Sequence, residues 1–143
     1  MILLIEDDLA HVELILRTFE ESKGSPDVLH LSDGELALDY LFRRGKYGAP
    51  EKSPRPALIL LDLNLPKVSG LEVLNEIKNC PELAAVPVIV LTSSEAERDV
   101  LNAYKQNANS YLVKPVNFEQ FYHLIQNLNH YWMDLNYYPL EKS

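Results

Sequence analysis

The chain reads as an α/β domain, a parallel sheet of five strands with a helix after each. Three observations predict this. Apolar runs without polar alternation recur at Ile2-Leu3-Leu4-Ile5, Ala57-Leu58-Ile59-Leu60-Leu61, Val88-Ile89-Val90-Leu91 and Tyr111-Leu112-Val113, and such runs are typical of strands buried on both faces. The segments between them carry apolar residues at helical spacing. The chain has 143 residues, 47% hydrophobic and 24% charged, which suits one domain with its own core.

The first strand is Ile2 to Ile5, and Asp8 is placed to cap a helix from about Leu9 to Glu21, with Val12, Ile15, Leu16 and Phe19 as its inner stripe. Gly24-Ser25-Pro26 ends it, and Val28 to Leu31 is a short, partly polar strand suited to a sheet edge. Asp33-Gly34 turns into a helix to about Arg43, with Leu36, Ala37, Tyr40 and Leu41 facing inward. Residues 44–56 form a Gly/Pro-rich loop, read as solvated, and the third strand follows. After a turn through Pro66, a helix from about Gly70 to Asn79 carries Leu71, Leu74 and Ile77. The fourth strand is expected over Val86 to Leu91. Ser94-Glu95-Ala96-Glu97 has capping-box spacing for a helix to about Gln106. Ser110 to Val113 is the fifth strand, and a long last helix begins near Asn117. Five β-α units make a doubly wound domain, for which the flavodoxin-like strand order 2-1-3-4-5 is expected.

A net charge of -8 and a pI near 4.9 argue against nucleic acid as a partner. The single cysteine, Cys80, excludes an intrachain disulfide. No apolar stretch approaches the ~20 residues of a membrane span. The apolar start runs straight into acids, unlike a signal peptide. A soluble cytoplasmic protein is expected.

Each residue able to do chemistry stands directly behind one of those apolar runs. Glu6 and Asp7 follow the first, Asp62 the third strand, Thr92 the fourth and Lys114 the fifth. Ligands of open α/β sheets bind outside the carboxyl ends of the strands, so these residues converge on one site. Acids before a helix are ordinary taken alone; a set in register at four strand ends is not. At an effective dielectric of ~20, two carboxylates about 4 Å apart repel by roughly 4 kcal/mol. Lys114 alone does not balance three of them. A hard divalent cation with oxygen ligands does, and Mg²⁺ with several retained waters suits so few protein ligands. The pattern is that of metal-assisted phosphoryl chemistry on an aspartate.

Glu6-Asp7, Asp62-Leu63-Asn64-Leu65-Pro66, Thr92-Ser93 and Lys114-Pro115, in this order and spacing, resemble a response-regulator receiver domain over essentially the whole chain. The resemblance implies that Asp62 accepts a phosphoryl group from the phosphohistidine of a sensor histidine kinase. It implies Mg²⁺ ligation by Asp7 and Asp62 through their carboxylates and by Asn64 through its backbone carbonyl, with Glu6 acting through a metal-bound water. Lys114 and, after transfer, Thr92 would hold phosphoryl oxygens. Tyr111 would swing inward as Thr92 moves, with helix four, strand five and helix five as the output surface. A cis bond before Pro115 is usual in that family and would help aim Lys114, but the sequence leaves the isomer open. Ser110 departs from the Gly or Ala often found there, and the third acid, Asp8, is assigned first to helix capping.

Two features exceed a minimal receiver. The loop holds Arg43, Arg44, Lys46, Lys52 and Arg55, far from Asp62 on the opposite rim of the sheet. The last helix has a core stripe of Phe118, Phe121, Ile125, Leu128 and Trp132, and beside it Leu124, Tyr131 and Leu135, followed by Tyr137, Tyr138 and Leu140. A second apolar line usually marks an interface, so a homodimer is expected, with residues 1–133 as the receiver domain and 134–143 as an aromatic tail. The Pro-rich insert and the extension resemble the small single-domain response regulators that partner cyanobacterial and bacterial phytochromes. The four histidines, His11, His30, His123 and His130, show no metal-ligand spacing and read as surface residues. The alternative function is a small-molecule phosphatase or phosphotransferase working through an aspartyl phosphate. Haloacid-dehalogenase-like enzymes of that kind need an Asp where this chain has Asn64. A flavodoxin-like cofactor binder is disfavoured by the acids crowding the site, and a receiver cut from a larger protein remains open.

Overall fold

The computed structural model describes residues 1–22 and 24–137. Its elements in chain order are β1 (Ile2–Ile5), α1 (Leu9–Glu20), β2 (Val28–Leu31), α2 (Gly34–Leu41), β3 (Leu58–Leu61), α3 (Gly70–Lys78), β4 (Val88–Thr92), α4 (Glu97–Lys105), β5 (Ser110–Val113) and α5 (Phe118–His130). All strand pairs are parallel, in the order β2-β1-β3-β4-β5.

Because side chains alternate along a strand, each apolar run serves two cores. Leu3, Ile5, Ile59, Leu61, Val88 and Val90 pack with Ala37, Val73, Ile77 and Ala103 of α2, α3 and α4. Ile2, Leu4, Leu58, Leu60, Ile89 and Leu91 pack on the other face with Val12, Ile15, Phe19, Phe121 and Ile125 of α1 and α5. A strand read by only one core would have alternated. Side-chain caps start four helices, with Asp8, Asp33, Ser69 and Asn117 accepting first-turn amides. Two glycines are required by contact. A Cβ on Gly34 would lie 2.0 Å from the Val68 carbonyl oxygen, and one on Gly70 would lie 2.2 Å from that of Asp62.

Some expectations need correction. α4 begins at Glu97, after Ala96, which offers no side-chain cap; the Ser94 Oγ accepts the Ala96 amide (3.3 Å) and donates to Asp99 Oδ2 (2.6 Å) instead of accepting a first-turn amide of the helix. β4 starts at Val88 rather than Val86. Phe118 is 57% exposed and leaves the core stripe, since it sits on the first turn of α5 just past the strand ends. Phe121, Ile125, Leu128 and Trp132 are buried as expected, and α5 runs on into a π turn over Tyr131–Leu135.

The α2–β3 loop is solvated over most of its length, with Arg44, Lys46, Glu51 and Lys52 exposed, and is pinned to the domain at a few points. It makes two 3₁₀ turns, Gly45–Tyr47 and Pro50–Lys52. The Tyr40 hydroxyl donates to the Pro54 carbonyl (2.6 Å), fully buried Ser53 donates to the Tyr40 carbonyl, and Arg55 donates to the Leu41 carbonyl (2.6 Å). Its Pro and Gly content set the turns, but these bonds between side chain and backbone hold the loop down. Tyr138 and Leu140 lie outside the described residues. No helix among the described residues is long and apolar enough to cross a membrane.

Candidate functional site

A residue of the acidic pocket stands at the carboxyl end of each of four strands: Glu6, Asp62 and Lys114 directly after β1, β3 and β5, and Thr92 as the last residue of β4. Glu6 (2% exposed), Asp62 (6%), Thr92 (0%) and Lys114 (6%) are all buried, and Asp7 beside Glu6 faces solvent. The parallel register carries them to one rim, with Ile5 opposite Leu61 and Thr92 opposite Val113. Gly70 lets α3 press directly on the Asp62 backbone.

Glu6 is fully engaged. Its Oε2 accepts the amides of Asp7 (3.0 Å) and Asp8 (3.2 Å), and its Oε1 pairs with Lys114 Nζ. Asp62 accepts the Asn64 amide on Oδ1 (3.1 Å) and the Lys114 ammonium on Oδ2 (2.9 Å). Carboxylate oxygens of Glu6, Asp7 and Asp62 lie within 4.8 Å of one another. Such a set of hard oxygen donors with one open, solvent-facing side fits a hydrated divalent cation. The Thr92 hydroxyl, wholly buried, has no hydrogen-bond partner. It sits close enough to Asp62 to favour the ionised carboxylate, without a bond of ordinary geometry. An orphaned buried hydroxyl needs a reason, and here an incoming oxygen would supply its partner.

The charges settle unevenly. Burial, then the bond to Asp62 and its charge, push the Glu6 carboxyl up to about 7, against the pull of Lys114. Burial also works to raise Asp62, but its bond with Glu6 and the Lys114 charge win and hold it below its ordinary value. Burial pulls Lys114 down, yet its bond to Glu6 and the charge of Asp62 leave it raised. Asp62 is thus the carboxylate of the cluster held ionised, and Glu6 is the one that more readily takes up a proton.

Two histidines read as surface residues belong here instead. His11 Nδ1 lies 3.0 Å from Lys114 Nζ, with burial first and the Lys114 charge second lowering the imidazole's proton affinity. His30 Nε2 donates to the Glu6 carbonyl at 2.6 Å. The available signal for His11 was its place four residues after Asp7 on the first turn of α1, which turns it towards the strand ends. His123 and His130 are exposed. Tyr111 donates to the Ser94 carbonyl (2.9 Å), with its ring half-buried. No peptide bond among the described residues is cis, so Lys114–Pro115 is trans.

The description "response regulator receiver domain" matches residues 2–126. The probable methanogenesis regulatory protein FilR2 of Methanothrix harundinacea is 44% identical, over 97% of this chain and 87% of its own length. The Mn²⁺-bound form of response regulator Rcp1, a Synechocystis protein, superposes with a TM-score of 0.92 at 41% identity, covering 97% of this chain and 98% of that one. The phosphorylated cyanobacterial phytochrome response regulator RcpA gives 0.91 at 37% identity, covering 97% of each chain. Superposition and sequence agree over nearly the whole length: the chain belongs to the response-regulator receiver family and is related to the phytochrome response regulators within it.

Proposed function

We propose that this response regulator accepts a phosphoryl group on Asp62 from a phosphohistidine of a sensor histidine kinase, a kinase of the phytochrome type. The observation that carries the proposal is the ionised, buried Asp62 held 2.9 Å from Lys114 Nζ beside two further acids. An Asp62 carboxylate oxygen attacks phosphorus, the P–N bond breaks, and the imidazole leaves with the electron pair. Asp62, Asp7, the Asn64 carbonyl and, through water, Glu6 would hold Mg²⁺, which supplies charge neutralisation for the transferring phosphoryl oxygens. Lys114 takes one of those oxygens. Thr92 turns its orphaned hydroxyl to another, and Tyr111 then occupies the space that Thr92 leaves. The phosphoryl group adds about -1.5 to -2 charges, so Lys114 is needed more after transfer than before.

The output surface is α4, β5 and α5. Leu101 and Tyr104 on α4 are about half exposed, as is Tyr131 at the end of α5, with Leu135 at 66% just beyond. Ile89, Leu112, Leu124 and Tyr131 line an apolar groove between β5 and α5. That surface supports a homodimer built on the last helix and the 134–143 tail beyond the 1–133 receiver, since aromatic residues of this kind are enriched at interfaces.

Asp62→Asn keeps the volume and removes the nucleophile. It is expected to abolish Mg²⁺-dependent labelling by acetyl phosphate with the melting temperature largely kept, and undiminished acid-labile label on the variant would refute the assignment. Changing Leu124 and Tyr131 to Glu should shift the protein towards monomer in light scattering with Asp62 still labelled. A monomeric parent at tens of micromolar would remove the dimer.

A further inference from the structure

An ammonium has three N–H donors and no acceptor. On Lys114, Asp62 Oδ2 takes one, Glu6 Oε1 a second and His11 Nδ1 the third, at 3.0 Å. Because the ammonium can only donate, Nδ1 of His11 is the acceptor and the ring is neutral, with its proton on Nε2. The carboxylates that could otherwise claim this nitrogen lie farther off, Asp8 at 3.6 Å and Glu6 at 3.8 Å. The ring is held from the far side by two aromatics of α5, Phe121 at 5.2 Å and, edge-on, Phe118 at 6.3 Å between centroids.

We propose that His11 is a positioning residue for Lys114, holding the ammonium over Asp62 while its carboxylate bonds are exchanged for phosphoryl oxygens. This rests on Asp62 being the phosphoacceptor. When the phosphoryl group arrives, Lys114 must give up a bond to Asp62 or Glu6 to reach it. The bond to His11 involves neither reacting group and persists, so the amine pivots about a fixed point instead of swinging freely. Without that anchor the ammonium stays with the two carboxylates, where the charge attraction is stronger.

The rival explanation is that His11 only fills space between α1 and α5, and the variants separate the two. Asn places Oδ1 where Nδ1 stands and restores the acceptor; Leu keeps apolar bulk and removes it. At saturating Mg²⁺, His11→Leu should be phosphorylated by acetyl phosphate about tenfold more slowly, and His11→Asn within about twofold of the parent. Calorimetric Mg²⁺ affinity should stay within about twofold for both. The Lys114 ζ-nitrogen resonance should move in His11→Leu and return towards the parent position in His11→Asn. If His11→Leu is labelled at the parental rate, or if folded His11→Asn falls as far as His11→Leu, the proposal is overturned. Should the Leu variant not fold, the Asn variant paired with His11→Gln decides, because Gln carries its oxygen one bond too far and should lose the rate. Equal labelling of the parent and the Leu variant overturns this proposal alone, whereas label on Asp62→Asn overturns the reading of Asp62 and this inference with it.

Discussion

The two rims of the sheet both bury polar side chains, with opposite consequences for stability. At the carboxyl rim, Glu6, Asp62, Thr92 and Lys114 are crowded together, one hydroxyl is left without a partner and one carboxyl is pushed to about 7. At the amino rim, Tyr40, Ser53 and Arg55 donate to backbone carbonyls and hold the α2–β3 loop against α2. Satisfied polar burial stabilises; like charges forced together cost stability. The chain tolerates the second kind at the rim where the proposed phosphoryl chemistry needs it.

The largest effect is expected where the carboxyl rim has no room. In Gly70→Ala the new Cβ would meet the Asp62 carbonyl oxygen at 2.2 Å and the Leu63 Cα at 2.5 Å, both backbone atoms that cannot rotate away. A loss of about 3–4 kcal/mol in urea unfolding is expected, with labelling of Asp62 impaired. A loss below about 1 kcal/mol would mean that this rim has slack.

Next comes the proton on Glu6. Its carboxyl is raised from 4.5 to about 7 on folding, so the native state holds the proton more tightly than the unfolded chain. In metal-free protein that stabilisation is full below pH 4.5 and is lost as pH rises towards 7, on the order of 3 kcal/mol in all. Asp62 has the opposite sign: it is depressed from 3.8, and its contribution is lost only as the pH falls below that range. Chemical denaturation in chelator at pH 5 and pH 7.5 should show the drop, and Glu6→Gln should flatten it. A parent with equal stability at both pH values would contradict the raised carboxyl. At pH 7.5, Mg²⁺ at a hundred times its Kd should restore about 2.7 kcal/mol, and Asp7→Ala should abolish that gain. A melting temperature indifferent to millimolar Mg²⁺ would count against the cation site.

Why the carboxyl rim was legible in the sequence and much else was not follows from the same physics. Doubly buried strands need unbroken apolar runs, so Ile2–Ile5 and Leu58–Leu61 announce themselves, and the residue after each run stands at the ligand-binding edge. Asp8 capped α1 as expected because capping is local, depending on amides two and three residues ahead. His11 was missed because its partner, Lys114, lies 103 residues away. The loop's anchors, Tyr40 and Ser53, were not legible because they carry no charge, while its cations drew attention. The start of α4 was misplaced because Ser94 and Glu97 fit a capping box, but the Ser94 oxygen accepts the Ala96 amide ahead of the helix while its hydroxyl donates to Asp99. Local patterns survive folding; long-range partners and competing acceptors do not show in spacing.

At the amino rim a smaller effect is expected, one confined to stability. Ser53→Ala removes the donor to the buried Tyr40 carbonyl and should cost about 1–2 kcal/mol. Phosphorylation of Asp62 should be unchanged, because the loop lies at the opposite ends of the strands. A matching loss in labelling rate would mean that the two rims communicate.

The smallest effect separates the anchors of that loop from its charges. Arg43 sits in the left-handed region at φ 55°, its Nε is buried without a partner, and the bond its guanidinium donates to the Ser53 carbonyl is long at 3.4 Å. It also lies near enough to Arg55 to repel it. Asn tolerates the left-handed conformation better than Arg, and Arg43→Asn removes both the orphaned nitrogen and the like-charge contact. Against these gains stand the weak bond and the packing of the arginine stem. The terms nearly cancel, so the expected change is within about 0.5 kcal/mol, stabilising if anything. A loss above about 1.5 kcal/mol in urea unfolding would show that Arg43 pins the loop as Ser53 does. In that case charge, and not only neutral hydrogen bonding to backbone, would hold the amino rim, and the contrast with the carboxyl rim would narrow to the single question of whether each charge has a partner.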